Sequence, residues 1–154
     1  MRQLALLAVL LLSLAGCAAA PYGNFATAPV AYDKKMATDT VKQLAVLYPP
    51  ASTRFNLKQP TQDAYGAALV ESLRAYGYAL FESEPPGERQ GSQQAPVQPE
   101  NQQTAGLDLH YVIDQQTGAN LYRVTVMVGQ QSISRAYVAQ NDTVYPAGAW
   151  VHKE

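Results

Sequence analysis

The sequence predicts an α+β domain in which two helices pack on one face of a small, mostly antiparallel sheet, in the order α-β-α-β-β-β-β. Three observations predict it. Two stretches in the first half of the chain carry apolar residues at helical spacing, and the C-terminal third alternates apolar and polar residues with a period of two. The chain has 154 residues, of which 47% are hydrophobic. That is enough for one core of ordinary size and too little for a second substantial domain. The charge balance, eleven Lys and Arg against twelve Asp and Glu for a net charge of −1, argues against a polyphosphate partner, which clustered basic charge would recognise. The single cysteine excludes a disulfide framework and a thiolate-rich zinc site. Ten tyrosines against three phenylalanines suggest half-buried surfaces rather than a large apolar core.

Residues 1–16 read as a secretory leader. Arg2 supplies a positive start, and Leu4 to Leu14 is apolar but for Ser13. The stretch is shorter than the 18 or so residues of a transmembrane helix. Leu14-Ala15-Gly16-Cys17 resembles a bacterial lipobox. Its small residues suit a narrow protease site, and the Cys17 thiol would accept diacylglycerol. Cleavage before Cys17 leaves 138 residues with a net charge of −2. Acyl chains contribute about 0.8 kcal/mol per buried CH₂, so a multiply acylated terminus is a lasting anchor. Ala18, in place of an aspartate after the cysteine, favours the outer membrane over the inner one.

Residues 17–32 are small, punctuated by Pro21 and Pro29, and aperiodic, and are expected to form an extended tether. A single α+β domain is expected over 33–154. Its first helix runs from Asp33 to Leu47, with Ala37, Val41, Leu44 and Tyr48 on one face, and Pro49-Pro50 ends it. Ser52 to Leu57 alternates as a short strand, with Phe55 and Leu57 on one side. Thr61 is the expected N-cap of the second helix and Asp63 sits in its first turn. Tyr65, Leu69, Leu73 and Tyr76 supply the apolar stripe, and Gly77 is a natural terminator. Tyr78 to Glu82 is the next strand. Glu84 to Gly106 holds six Gln, four Pro and three Gly, with Val97 as its sole large aliphatic residue. It cannot bury enough apolar area to offset its ordering entropy, and a disordered loop is expected there.

Beyond it, Leu107 to Ile113, Tyr122 to Val128 and Ser132 to Val138 alternate as strands. Turns at Gln115–Ala119, Gly129-Gln130 and Asn141-Asp142 join them, and a last short strand follows around Ala149 to His152.

No catalytic constellation emerges. His110 and His152 lack a third convergent ligand and read as two solvated histidines. No Gly-x-Ser-x-Gly elbow, Ser-x-x-Lys motif or glycine-rich phosphate loop occurs. Asp108 and Asp114 are too far apart along one strand for a carboxylate pair. Arg54, Arg123 and Arg135 could make a basic face, but pairing with acidic neighbours is the simpler reading. No cofactor, metal site or enzymatic activity is expected, and a structural or interaction protein is.

The lipobox Cys17 is followed in order by Tyr22-Gly23-Asn24-Phe25, by VKQLAVLYPPASTRF (Val41 to Phe55), by NLYRVTV (Asn120 to Val126), by SRAYV (Ser134 to Val138) and by PAGAWVHKE (Pro146 to Glu154). In this order and at this length the chain resembles the TrbH family of conjugal transfer lipoproteins. The resemblance implies a component of a conjugative type IV secretion system. It would sit in the outer-membrane core complex, lipid-anchored through Cys17 and facing the periplasm, within a multimeric ring. Its partners would be a periplasmic ring protein and an envelope-spanning channel protein, with no direct contact to nucleic acid. An unrelated envelope lipoprotein that binds or regulates a periplasmic enzyme is the alternative. Partner docking is expected at Tyr22 and Phe25, which stand out among small residues of the tether, or at Trp150 near the C-terminus.

Overall fold

The computed structural model describes residues 22–82 and 106–154, so the expected leader, Cys17 and residues 84–105 of the expected disordered loop lie outside the described residues. The element order is β1 (Gly23–Asn24), α1 (Val30–Leu47), a 3₁₀ turn (Pro50–Ser52), β2 (Arg54–Leu57), α2 (Ala64–Ala75), β3 (Ala79–Glu82), β4 (Leu107–Gln115), β5 (Leu121–Val128), β6 (Gln131–Gln140), β7 (Thr143–Pro146) and β8 (Val151–Lys153). This is the expected α+β architecture, with a mixed sheet.

Helix α1 starts three residues before the expected Asp33. Pro29, at φ −58° and ψ 142°, is its N-cap, a conformation its ring already favours. The added turn puts Tyr32 edge-on to Tyr122, with ring centroids 6.1 Å apart. The buried stripe is Asp33, Met36, Ala37, Thr40, Val41 and Leu44, a helical series that includes a carboxylate. The N-cap of α2 is Asp63 rather than Thr61, because the Asp63 carboxylate accepts from the Gly66 N–H at 2.9 Å. Gly66 is there for space: a Cβ would lie 2.8 Å from Thr61 Cα and on the Tyr111 hydroxyl. Gly77, at φ +86°, closes the helix, while Tyr76 points to solvent.

The sheet order is β3-β2-β4-β5-β6-β7. β2 is parallel to both neighbours, and β4 to β7 form an antiparallel meander. Phe55, Leu57, Leu109, Tyr111, Ile113, Tyr122, Val124, Val126, Ile133, Tyr137 and Val144 all point to the helix-covered face and are buried. Each fully buried aliphatic or Phe side chain contributes about 1.5–3 kcal/mol. Asn141 and Asp142 both have positive φ, 52° and 55°, as a two-residue hairpin turn requires. β7 and β8 lie in succession along β6. Pro146 faces Tyr137 and Val151 faces Ser134, so the outer chain holds two extra residues and bulges at Ala147–Trp150.

Tyrosine fills the core here instead of half-buried surfaces: Tyr65, Tyr111 and Tyr137 are the largest fully buried side chains. Each finds a hydroxyl partner on another element. Tyr65 on α2 meets Thr40 on α1 at 2.8 Å, Tyr111 on β4 donates to Asp63, and Tyr137 on β6 donates to Asp39 on α1 at 2.6 Å. A satisfied hydroxyl removes the desolvation penalty, so the rings fill the core as phenylalanine would.

Candidate partner-docking sites

The N-terminal segment is not a free tether over its described part. Gly23 and Asn24 run parallel to β4, facing Val112 and Ile113, and the Phe25 N–H donates to Ile113 O at 2.8 Å. Part of the segment expected as an extended tether, residues 17–32, is therefore a strand of the sheet. A two-residue strand of Gly and Asn leaves no alternation to detect, because only its backbone does the pairing. The open edge of β4 invites it: β2 pairs with Leu107 to Leu109, and β1 takes the edge further along at Val112 and Ile113. Between them the buried Gln59 side chain stands in for a strand residue. Its amide oxygen accepts from the Tyr111 N–H at 2.9 Å, and its NH₂ donates to the Tyr111 carbonyl at 3.3 Å.

Asn24 donates to Asp33 Oδ1 at 3.3 Å and accepts from the Ala26 N–H at 3.0 Å. The Asp33 carboxyl is pushed up to about 6, first by burial and then by the neighbouring Asp63 charge, while the Asn24 hydrogen bond opposes the shift. Tyr22 stacks on His110, centroids 4.0 Å apart and planes 27° from parallel. His110 is thus half-buried, not solvated, and its Nδ1 has no partner among the described residues. Burial lowers its pKa, with Asp108 opposing and Lys58 assisting, which favours the neutral ring. His152 is exposed on β8. Phe25 is left 58% exposed on a backbone that is held in place.

Trp150 lies in the bulge between β7 and β8, partly buried against the core. The Arg135 guanidinium sits 5.8 Å from its ring and donates to Gly148 O at 2.8 Å. Arg135 also donates to Asp39 at 2.9 Å. The structure does not bring Trp150 together with Tyr22 and Phe25: β4, β5 and β6 separate the two edges. Nor do the arginines form a basic face. Arg135 turns to α1, whereas Arg123 points outward and pairs with Asp114 across β4 and β5 at 2.9 Å. Such exposed pairs are worth about 0–1 kcal/mol.

Burial raises the pKa values of Tyr65, Tyr111 and Tyr137, and the carboxylates of Asp63 and Asp39 raise the last two further. All three stay protonated donors. No group of His, Cys, Asp and Glu among the described residues could hold a metal ion, and no described helix is long and apolar enough to cross a membrane. Sequence reasoning missed Gln59, the Asp33–Asn24 pair and the Tyr22–His110 stack, all of which join residues far apart in the chain or lacking a periodic signature.

Comparison with known proteins gives no match among curated proteins and none among solved structures. A family model does match, over residues 19–154, and its description is conjugal transfer protein TrbH. The match takes in β1, both helices and the whole sheet, and the chain belongs to the TrbH family of conjugal transfer proteins.

Proposed function

We propose that this chain is a structural, non-catalytic lipoprotein of the conjugative secretion channel. It is anchored through Cys17 to the outer membrane and docks a periplasmic ring subunit and an envelope-spanning channel subunit of the core complex. Membership of a conjugal transfer family supports the role in transfer. The observation that carries the docking mode is the pinned N-terminal segment, whose backbone is committed to β4 while the Phe25 side chain projects outward. An anchor fixed before contact loses less entropy on binding. Cys17 precedes Tyr22 by five residues, a reach of at most about 18 Å, so the lipid would hold this edge of the sheet close to the bilayer.

Two substitutions test the proposal. Cys17→Ser should abolish acyl labelling and membrane flotation while the domain stays folded; a variant that still labels and floats overturns the anchor. Phe25→Ala should reduce co-purification with core-complex subunits and DNA transfer several-fold, with an unchanged melting temperature. Normal assembly by Phe25→Ala, together with loss of assembly in a folded Trp150→Ala protein, moves the docking site to the opposite edge.

A further inference from the structure

A cleft of about 470 Å³ lies between α1 and the outer strand β7. Its helix wall carries Lys34, Lys35 and Lys42, and among the described residues none of the three makes an ion pair. Asp39 is the acidic residue in the lining, and its carboxylate is already taken by Arg135 and Tyr137. The cleft therefore concentrates positive charge in a protein of net charge −1. Pro146 lines the opposite, sheet side, above the buried Val144, and offers an apolar wall. Lys35 is held in place by Thr143 Oγ1 at 3.0 Å and by the Tyr145 ring, 4.7 Å from its ammonium.

We infer that this cleft binds an extended acidic segment of a partner protein, with a carboxylate at each end and an apolar side chain between. The spacing follows from the geometry. Lys34 and Lys42 are eight residues apart on a helix, about 12 Å along its axis. An extended chain covers that distance in four residues, so side chains at positions one, three and five share a face. Carboxylates at one and five then reach Lys34 and Lys42, and an apolar residue at three meets the exposed Pro146. Nucleic acid fits less well. Its affinity comes from many phosphate contacts, and the exposed Tyr145 ring beside the cleft is covered by Lys35 rather than open for base stacking. This inference does not rest on the lipid anchor or on Phe25.

The test uses the full-length protein in detergent and a fluorescent peptide containing Glu-Ser-Val-Ser-Glu, followed by anisotropy at low salt. The peptide should bind, weaken as salt rises, and bind about tenfold less well to the Lys34→Glu/Lys42→Glu protein, as the loss of two charge contacts implies. A Gln-Ser-Val-Ser-Gln peptide should bind no better than background, and Thr38→Glu, which adds negative charge to the exposed rim, should weaken binding in the same way. All three positions are exposed, so melting temperatures should not change. Absence of peptide binding, equal binding by the charge-reversed protein, or lysine-dependent binding of an eight-nucleotide oligothymidylate in place of the peptide overturns the inference.

Discussion

Asp33 sits on the buried stripe of α1, where a carboxylate loses its hydration and gains the Asn24 amide as a hydrogen-bond donor. Its folded pKa of about 6 lies above the ordinary 3.8, so the folded state binds this proton more tightly than the unfolded chain does. The stability it contributes is therefore fully present below about pH 4 and is lost as pH rises through 6. A displacement of roughly two pH units corresponds to about 3 kcal/mol. Asn in its place keeps an oxygen for Asn24 and carries no charge. Asp33→Asn should accordingly gain about 1–3 kcal/mol over the natural protein at pH 7.5 and close to nothing at pH 4, measured by urea unfolding at both values. A gain independent of pH would show that Asp33 is not the titrating group. From the sequence Asp33 is readable as a first-turn residue favoured by the helix dipole. Its burial is not readable, because the partner that accommodates it comes from a strand with no pattern of its own.

Among the elements, those that bury one face announce themselves. β4, β5 and β6 alternate because a half-covered antiparallel sheet demands it, and the stripe on α2 repeats Tyr65, Leu69 and Leu73 for the same reason. β1 and the Gln59 bridge follow no such rule, since one pairs by backbone alone and the other replaces a strand residue with a side-chain amide. The Gln59 bridge joins β2 and β1 into one continuous border for β4. Gln59→Leu keeps the size and apolar contacts of the side chain but leaves the Tyr111 N–H and C=O unpaired in a buried position. An unsatisfied buried group costs about 1–3 kcal/mol, so the variant should lose about 2–4 kcal/mol in denaturant unfolding, and the Tyr111 amide should exchange faster with solvent. A loss under about 0.5 kcal/mol would mean that water or a shifted β1 replaces the amide. The lysines of the α1 cleft share a helix face with Ala31 and Thr38 and were within reach of a helical-wheel reading. What makes them a site is β7 opposite, which comes from a distant part of the chain.

At the scale of the whole molecule, the sheet fixes what must join β3 to β4. Both strands are parallel to β2 and flank it, Glu82 lying beside Leu57 and Leu107 beside Phe55. The end of β3 and the start of β4 are thus about 10 Å apart across the sheet and a few residues apart along it, roughly 13 Å in all. Residues 83–105 supply far more chain than that gap needs. Removing Gln90 to Gln103 leaves nine residues, 83–89 and 104–105, which reach about 30 Å when extended. Gly106 stays, and it has to: its carbonyl accepts from Asn56 Nδ2 at 3.0 Å, and a Cβ there would lie 2.7 Å from the Asn56 side-chain oxygen. Loop-closure entropy changes by only about 0.6 kcal/mol per doubling of length. The deletion should therefore leave unfolding free energy within about 1 kcal/mol of the natural protein, and conjugative transfer close to its normal frequency. A collapse of folding would show that residues 90–103 pack against the domain. Normal folding with lost transfer would give the segment a role in assembly that neither the anchor nor the docking edge supplies.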